Sequence, residues 1–182
     1  MQHQPPVLYE FDGGQGAQPD LPVLINTGNK RGGYMGKVLI VYATRSEETK
    51  AIADIIGEGI RISGHNAQVK RVNEIKSEED LKGYDAYIFG SPTYHGEMIT
   101  PMKQLLFLAE RAELAGKPGG AFGAYGWSGE AAGRIFDTMT HIFKMNMVSG
   151  GPLMLKAAWV GGGIKAAQEY GKNVAAMISE TQ

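Results

Sequence analysis

Short apolar runs alternate with amphipathic segments from Lys37 towards the end of the chain. The run KVLIVYA is continuous and rich in β-branched residues, which is typical of a strand buried on both faces of a parallel sheet. The runs AQVKRVN, DAYIFGS and GGAFGAYG predict three further strands. The runs MNMVSG and PLMLKAAWV predict a fifth strand, interrupted by Gly150, Gly151 and Pro152.

The segments between these runs carry apolar residues at helical spacing, which predicts amphipathic helices. The first helix is expected over residues 49–63, with Gly64 as its stop. Thr100 and Pro101 are expected at the N-cap and the first position of the second helix, and Ser128 at the N-cap of the third. The helix faces that we expect to be buried are Ile52, Ile55, Ile56 and Ile60; Met102, Leu105, Leu106 and Ala109; Ala132, Ile135, Phe136, Met139, Ile142 and Phe143; and Ile164, Ala167, Gly171, Val174 and Ile178.

Strands that alternate with helices predict right-handed βαβ units and an α/β fold. We therefore expect a doubly wound, five-stranded parallel sheet with helices on both faces over residues 37–182. Residues 1–36 differ from the rest, because they are rich in Gly, Pro and Asn and show little periodicity. They predict an N-terminal arm, for which two alternatives stay open: a flexible tail, or a segment packed on this domain or on a neighbouring subunit.

Composition narrows the chemistry that the chain can carry. The 182 residues include no cysteine, which excludes disulfides, iron–sulfur clusters and thiol catalysis. The four histidines are scattered and show no ligand spacing such as HExxH, so no metal site is predicted. Any redox chemistry must therefore come from a bound organic cofactor.

Charge and hydropathy exclude two classes of partner. The net charge of −1 provides no basic field for nucleic acid or anionic lipid. No apolar run approaches the roughly 20 residues of a membrane span, and the first residues lack the charged and apolar regions of a secretory signal. We therefore expect no nucleic-acid partner, no membrane partner and a cytoplasmic location.

Three loops follow the predicted strands at the edge where open α/β sheets bind ligands. The first, residues 44–49 (TRSEET), joins a buried strand to a helix N-terminus, where free N–H groups and the helix dipole favour an anion. Hydroxyl groups of Thr44, Ser46 and Thr49 and the guanidinium of Arg45 add donors. Neither GxxxxGK[ST] nor GxGxxG is present, so this is neither a P-loop nor a Rossmann turn.

The second loop, residues 90–101, and the third, residues 124–131, carry aromatic residues: Tyr94 in the second, and Tyr125 and Trp127 in the third. Aromatic side chains on two loops beside one crevice favour a planar ring system between them. The GWSGE stretch has the wrong spacing for a GxSxG nucleophile elbow, so a hydrolase is not expected and no catalytic residue is assigned.

These loops resemble those of the flavodoxin family, and the stretches SPTYHGEMITP and AFGAYGWSGEAAGRI resemble the flavodoxin domain of flavodiiron proteins. The resemblance covers roughly residues 37–180. It implies FMN, with its phosphate group on residues 44–49 and its isoalloxazine ring between the second and third loops. The cofactor-binding residues implied are Thr44, Arg45, Ser46, Glu47, Glu48 and Thr49; Ser91, Pro92, Thr93, Tyr94, His95 and Gly96; and Tyr125, Gly126, Trp127, Ser128 and Gly129.

The resemblance implies an electron carrier that serves redox partner proteins, and it leaves a homodimer open. Two alternatives stay open beside it. The stretch YATRSEETKAIA also resembles flavodoxin-like protoporphyrinogen oxidases, which implies an FMN-dependent oxidoreductase acting on a quinone or porphyrinogen-type substrate. Glu47 and Glu48 stand where the family commonly has glycine or a small polar residue, and they leave open a non-redox interaction module that keeps the fold without flavin.

Overall fold

The computed structural model describes residues 34–126 and 128–180. The strands are β1 (Lys37–Tyr42), β2 (Asn66–Arg71), β3 (Ala86–Gly90), β4 (Thr93–Tyr94), β5 (Glu97–Met98), β6 (Pro118–Ala124), β7 (Asn146–Met147) and β8 (Leu153–Leu155). The α-helices are α1 (Glu48–Ile62), α2 (Thr100–Ala109), α3 (Glu130–Asp137) and α4 (Gly163–Glu180). Short 3₁₀ turns span Val72–Glu74 and Glu78–Leu81, and a π-helical turn, Thr138–Ile142, continues α3.

The central sheet has the order β2-β1-β3-β6, with β7 and β8 following one another along the outer edge of β6. All of these pairings are parallel. The fifth position is therefore shared by two short strands, and Gly150 and Gly151 lie between them with φ of 90° and 83°. The predicted doubly wound sheet is confirmed, including the interruption of its fifth strand.

Helices cover both faces of the sheet, because side chains along each central strand alternate between two cores. Val38 and Ile40 of β1 pack on one face in a cluster with residues of α1 and α4. Leu39 and Val41 point to the other face and pack in a cluster with residues of α2 and α3. All four strand residues are fully buried, as their continuous apolar run predicted.

Two predicted helix caps are wrong by one position. Ile99, not Thr100, is the N-cap of α2, so Thr100 and Pro101 lie inside its first turn. Gly129, not Ser128, is the N-cap of α3. The N–H of Ala131 in that first turn donates to the hydroxyl of Thr93 at 3.2 Å, so a distant loop provides the cap.

Two residues predicted to be buried are exposed. Ile142 is exposed because the π-helical turn moves it off the buried face, and the bond from Phe143 N–H to the Thr138 carbonyl has the i→i+5 spacing of that turn. Ile164 lies in the first turn of α4 and also faces solvent. The other predicted faces of α1 and α2 are buried as expected.

The side chain of Tyr170 connects α4 to β6 through hydrogen bonds to the backbone of Ala121. Its buried hydroxyl accepts the Ala121 N–H at 2.9 Å and lies 3.0 Å from the Ala121 carbonyl, to which it donates. Burial raises the pKa of this hydroxyl, so it stays protonated. We expect Tyr170→Phe to lower the free energy of unfolding by about 1–3 kcal/mol, because the buried Ala121 N–H loses its partner.

Urea denaturation measures this change. Tyr34→Phe is the matched control, because the Tyr34 hydroxyl bonds Asp85 at the exposed surface and its removal is expected to cost less than about 0.5 kcal/mol. Equal stability of the two variants would show that the Tyr170 hydroxyl does not support the sheet.

Candidate cofactor-binding site

The carboxyl ends of β1, β3, β6 and β8 open onto one cleft with a volume of about 710 Å³. This volume lies within the range of roughly 300–1,000 Å³ that is common for small-molecule and cofactor sites. The cleft collects residues from all three loops that the sequence singled out, and from the end of β8. Its lining residues are Ser46, Glu48, Pro92, Thr93, Tyr94, His95, Gly96, Ala124, Tyr125, Gly126, Ser128 and Lys156.

Two buried hydroxyl groups have no hydrogen-bond partner among the described residues: Thr44 Oγ1, in the turn between β1 and α1, and Thr49 Oγ1, in the first turn of α1. Thr49 is fully buried and Thr44 nearly so. An unsatisfied buried hydroxyl costs roughly 1–3 kcal/mol, and native proteins rarely leave one without a reason. No side chain caps α1 either, because its N-cap residue, Glu47, makes no such bond. Both threonines and the open helix N-terminus therefore fit an anionic group such as phosphate.

The two glutamates of this turn lie on its surface. Glu47 and Glu48 are both exposed, and Glu48 lines the cleft whereas Glu47 does not. The guanidinium of Arg45 lies 4.8 Å from the centre of the Tyr94 ring, where a cation–π interaction links the first loop to the second. The carboxylates of the two glutamates face water and are not partners of the buried hydroxyl groups of the two threonines.

Strands β4 and β5 form a hairpin within the second loop, which the sequence prediction missed. Its two-residue turn consists of His95 and Gly96, with φ of 51° and 72°. Positive φ at both positions is typical of a type I′ turn, whose usual signal is Asn-Gly or Asp-Gly, so His-Gly was not recognised. The available signal was a glycine-containing dipeptide between two short segments, Thr93–Tyr94 and Glu97–Met98.

Side-chain contacts fix this hairpin to both neighbouring helices. Glu97 accepts a hydrogen bond from Lys103 of α2 at 2.9 Å and lies 3.6 Å from Arg134 of α3. The bond from Lys103 holds the pKa of Glu97 below its usual range, so the carboxylate stays ionised. The Thr93 hydroxyl, which accepts the Ala131 N–H, joins the hairpin to the start of α3. The second and third loops thus form one connected rim.

Ser91 and Pro92 lie at the base of the hairpin. The Ser91 hydroxyl is fully buried, accepts the Ile99 N–H at 3.2 Å and donates to the Pro92 carbonyl at 3.0 Å. The Ser91 hydroxyl therefore forms its hydrogen bonds within the protein. Ser91 does not line the cleft, whereas Pro92 does.

The third loop continues β6 beside β8. The Tyr125 N–H donates to the Leu155 carbonyl at 3.1 Å, which extends the register in which Ala124 pairs with Leu155. Trp127 lies outside the described residues. The hydrogen bond from Ser128 lowers the pKa of the Glu130 carboxyl, so the Ser128 side chain bonds an acid instead of capping α3.

Sequence reasoning missed two lining residues, Ala124 and Lys156. Lys156 follows β8 directly, at the same edge as the other loops. Its position after the fifth predicted strand was the signal that could have identified it. Six of the predicted residues do not line the cleft: Thr44, Arg45, Glu47, Thr49, Ser91 and Gly129. Thr44 lines a neighbouring cleft, together with Arg71 and Pro101.

The class of flavodoxin-like α/β proteins is defined by three features that this structure has. They are a doubly wound parallel sheet, a turn before the first helix that favours an anion, and an aromatic-lined cleft where the strand order reverses. The family model described as "Flavodoxin domain" matches residues 39–147. The chain belongs to the flavodoxin family, as its loops predicted. Flavodoxins are FMN-binding electron-transfer flavoproteins, so the predicted cofactor and class of function are confirmed at the level of the family.

Individual relatives agree with this placement. A solved flavodoxin from the domain Archaea superposes with a TM-score of 0.71 at 30% identity, covering 78% of this chain and 98% of that one. The NAD(P)H dehydrogenase (quinone) of Gluconacetobacter diazotrophicus is 30% identical over 141 residues, which are 64% of this chain and 71% of that protein. The flavodiiron protein from Giardia intestinalis shares the fold, with a TM-score of 0.71 at 21% identity, covering 80% of this chain and 37% of that one.

None of the helices within residues 34–126 and 128–180 is long and apolar enough to cross a membrane.

Proposed function

We propose that this chain binds FMN in the cleft at the carboxyl edge of the sheet and passes electrons between redox partner proteins. The observation that carries the residue assignment is the pair of buried hydroxyl groups of Thr44 and Thr49, which have no partner in the part of the chain that the structure describes. They lie in the turn that opens α1, where backbone N–H groups and the helix dipole favour a phosphate. Bound FMN supplies the ring that takes up and releases electrons.

The chain's own residues hold and orient this group. In the proposed arrangement Thr44, Thr49 and the start of α1 take the phosphate end. The hairpin residues Tyr94 to Gly96 and the third loop from Tyr125 take the ring end, since both line one cleft. The hairpin and the third loop form the two walls of the ring end. The contacts of Thr93 with α3 and of Glu97 with α2 and α3 hold these walls together. Ser91 and Gly129 lie outside the lining of the cleft.

Electron transfer requires that a partner can approach the ring. Tyr94 is 38% exposed and His95 lies beside it at the tip of the hairpin, so this rim meets solvent. A redox partner protein that docks there would need no group of this chain to act as an acid, a base or a nucleophile. A cytoplasmic location and a homodimer stay predictions of the sequence.

Titration of the flavin-free protein with FMN and, separately, with riboflavin tests the assignment, with quenching of flavin fluorescence as the readout. Riboflavin carries the same ring without the phosphate. We expect FMN to bind at least about tenfold more tightly, because hydrogen bonds to a charged group contribute roughly 1.5–3 kcal/mol. Equal affinities would contradict the phosphate assignment, and no binding of either flavin would favour the non-redox interaction module.

An FMN-dependent oxidoreductase acting on a quinone is the second candidate, and its support is the similarity to a protein named NAD(P)H dehydrogenase (quinone). Steady-state turnover of NADH or NADPH with benzoquinone, in the absence of any partner protein, distinguishes the two. Sustained turnover would favour the enzyme, whereas an electron carrier reduces no more quinone than its bound flavin allows. The porphyrinogen-type substrate stays a prediction of the sequence.

A further inference from the structure

Lys156 is a basic residue of the cleft that the proposed function leaves without a role. It is exposed, follows β8 directly, and makes no ion pair with the residues that the structure describes. The lining of the cleft contains one lysine, Lys156, one carboxylic acid, Glu48, and one histidine, His95. The other nearby cations are engaged, since Arg45 lies over the Tyr94 ring and Arg134 lies beside Glu97.

The position of Lys156 in the sheet places its charge at one end of the cleft. The order of strands along this edge is β1, β3, β6 and β8, with neighbouring strands about 4.8 Å apart. The backbone of Lys156 therefore lies about 14 Å across the sheet from the end of β1, where the turn of residues 44–49 begins. It lies beside the third loop instead, because Leu155, the residue before it, accepts the Tyr125 N–H.

The register of β6 and β8 makes this position well defined. Ala124 pairs with Leu155, so the next residues along, Tyr125 and Lys156, leave the sheet side by side. Both line the cleft. A lysine carries a compact charge on a flexible chain, and a charge of this kind next to a ring changes the relative stability of the ring's charge states.

We propose that Lys156 sets the redox equilibrium of bound FMN by placing a positive charge at the ring end of the cleft. This inference rests on the proposed function. Reduction adds two electrons and one proton to the neutral oxidised ring at neutral pH and leaves the ring with one negative charge, the electrons coming from the donor partner protein. A cation on that side favours the negatively charged reduced ring over the neutral oxidised one.

The midpoint potential of bound FMN measures this effect in three variants, by titration with dithionite against a reference dye. Lys156→Met is expected to lower the equilibrium constant for reduction by about three- to tenfold, and a tenfold change equals about 30 mV for a two-electron couple. Lys156→Arg keeps the charge and is expected to keep the potential. Lys37→Met is the matched control, because Lys37 is exposed and begins β1, at the amino-terminal ends of the strands and opposite the cleft.

Ionic strength provides a second readout. The difference in potential between the wild type and Lys156→Met is expected to shrink from about 0.01 M to about 1 M salt, because the screening length falls from roughly 30 Å to roughly 3 Å. A structural role of the side chain would not produce this dependence.

Two results would overturn the proposal. The first is an unchanged potential in Lys156→Met with FMN still bound. The second is a loss of FMN affinity without loss of riboflavin affinity and with an unchanged potential, which would assign Lys156 to the phosphate. Failure of the wild type to bind FMN would instead remove the proposed function, and the role of Lys156 would fall with it.

Discussion

Replacing Thr49 with valine is expected to weaken FMN binding and, at the same time, to stabilise the flavin-free protein. The Thr49 hydroxyl is fully buried and has no hydrogen-bond partner within residues 34–126 and 128–180. Valine has nearly the same shape without the polar group, so the flavin-free protein loses an unsatisfied hydroxyl and gains about 1–3 kcal/mol. FMN loses a hydrogen bond to its charged phosphate, which raises the dissociation constant roughly tenfold to a hundredfold.

The opposite signs of the two effects make this test specific. Urea denaturation of the flavin-free protein measures the first, and fluorescence titration with FMN measures the second. Riboflavin affinity is expected to stay within about twofold of the wild type, since a loss confined to the phosphate leaves the ring end intact. A general weakening of the fold would instead lower stability and affinity for both flavins together.

Thr140→Val is the matched control for Thr49→Val. The Thr140 hydroxyl donates to the Phe136 carbonyl at 2.7 Å, in the π-helical turn after α3 and away from the cleft. It therefore has a partner to lose, and no gain in stability is expected from its removal. If Thr49→Val leaves FMN affinity unchanged, the buried hydroxyl does not face the phosphate and the assignment of the first loop is wrong.

The layers of the fold could be predicted from the sequence because they depend on local pattern. The run Lys37 to Ala43 contains apolar residues without interruption, and a strand covered on both faces is the structure that buries them all. The glycines at 150 and 151 marked the interruption of the fifth strand, since both adopt positive φ. Three loops at one edge then followed from the alternation of strands and helices.

The details that failed depend on contacts between distant residues. The start of α3 uses the Thr93 hydroxyl, 38 residues before Ala131, so the nearby Ser128 was the wrong cap. The hairpin turn uses His95 at positive φ, a conformation that is uncommon for residues other than glycine. Lys156 enters the cleft through the parallel pairing of β8 with β6, which no local pattern around Lys156 reveals.

Alanine at Gly59 is expected to cause a larger loss of stability than any other change described above. Helices α1 and α4 cross in close contact at two glycines. A Cβ added at Gly59 would lie 2.1 Å from the Gln168 carbonyl oxygen, and one added at Gly171 would lie 2.2 Å from the Ile56 carbonyl oxygen. Both obstacles are helix backbone, which cannot turn aside as a side chain does, so the two helices must separate.

We expect Gly59→Ala to lower the free energy of unfolding by about 3 kcal/mol, at the upper end of the usual cost of overpacking. This loss arises even though alanine is favoured over glycine in a helix by about 1 kcal/mol. Gly133→Ala in α3 isolates that intrinsic term, because a Cβ at Gly133 meets nothing within 4 Å. The control is expected to gain roughly 0.5–1 kcal/mol in the same urea denaturation.

The consequences of Gly59→Ala extend to the cleft, because α1 carries Thr49 and the turn before it. A displaced α1 moves the proposed phosphate end while the second and third loops, on β3 and β6, stay in place. FMN affinity is therefore expected to fall more than riboflavin affinity, together with stability, whereas Thr49→Val lowers FMN affinity while stability rises. If Gly59→Ala is as stable as Gly133→Ala, the close crossing of α1 and α4 does not exist in solution and this coupling is wrong.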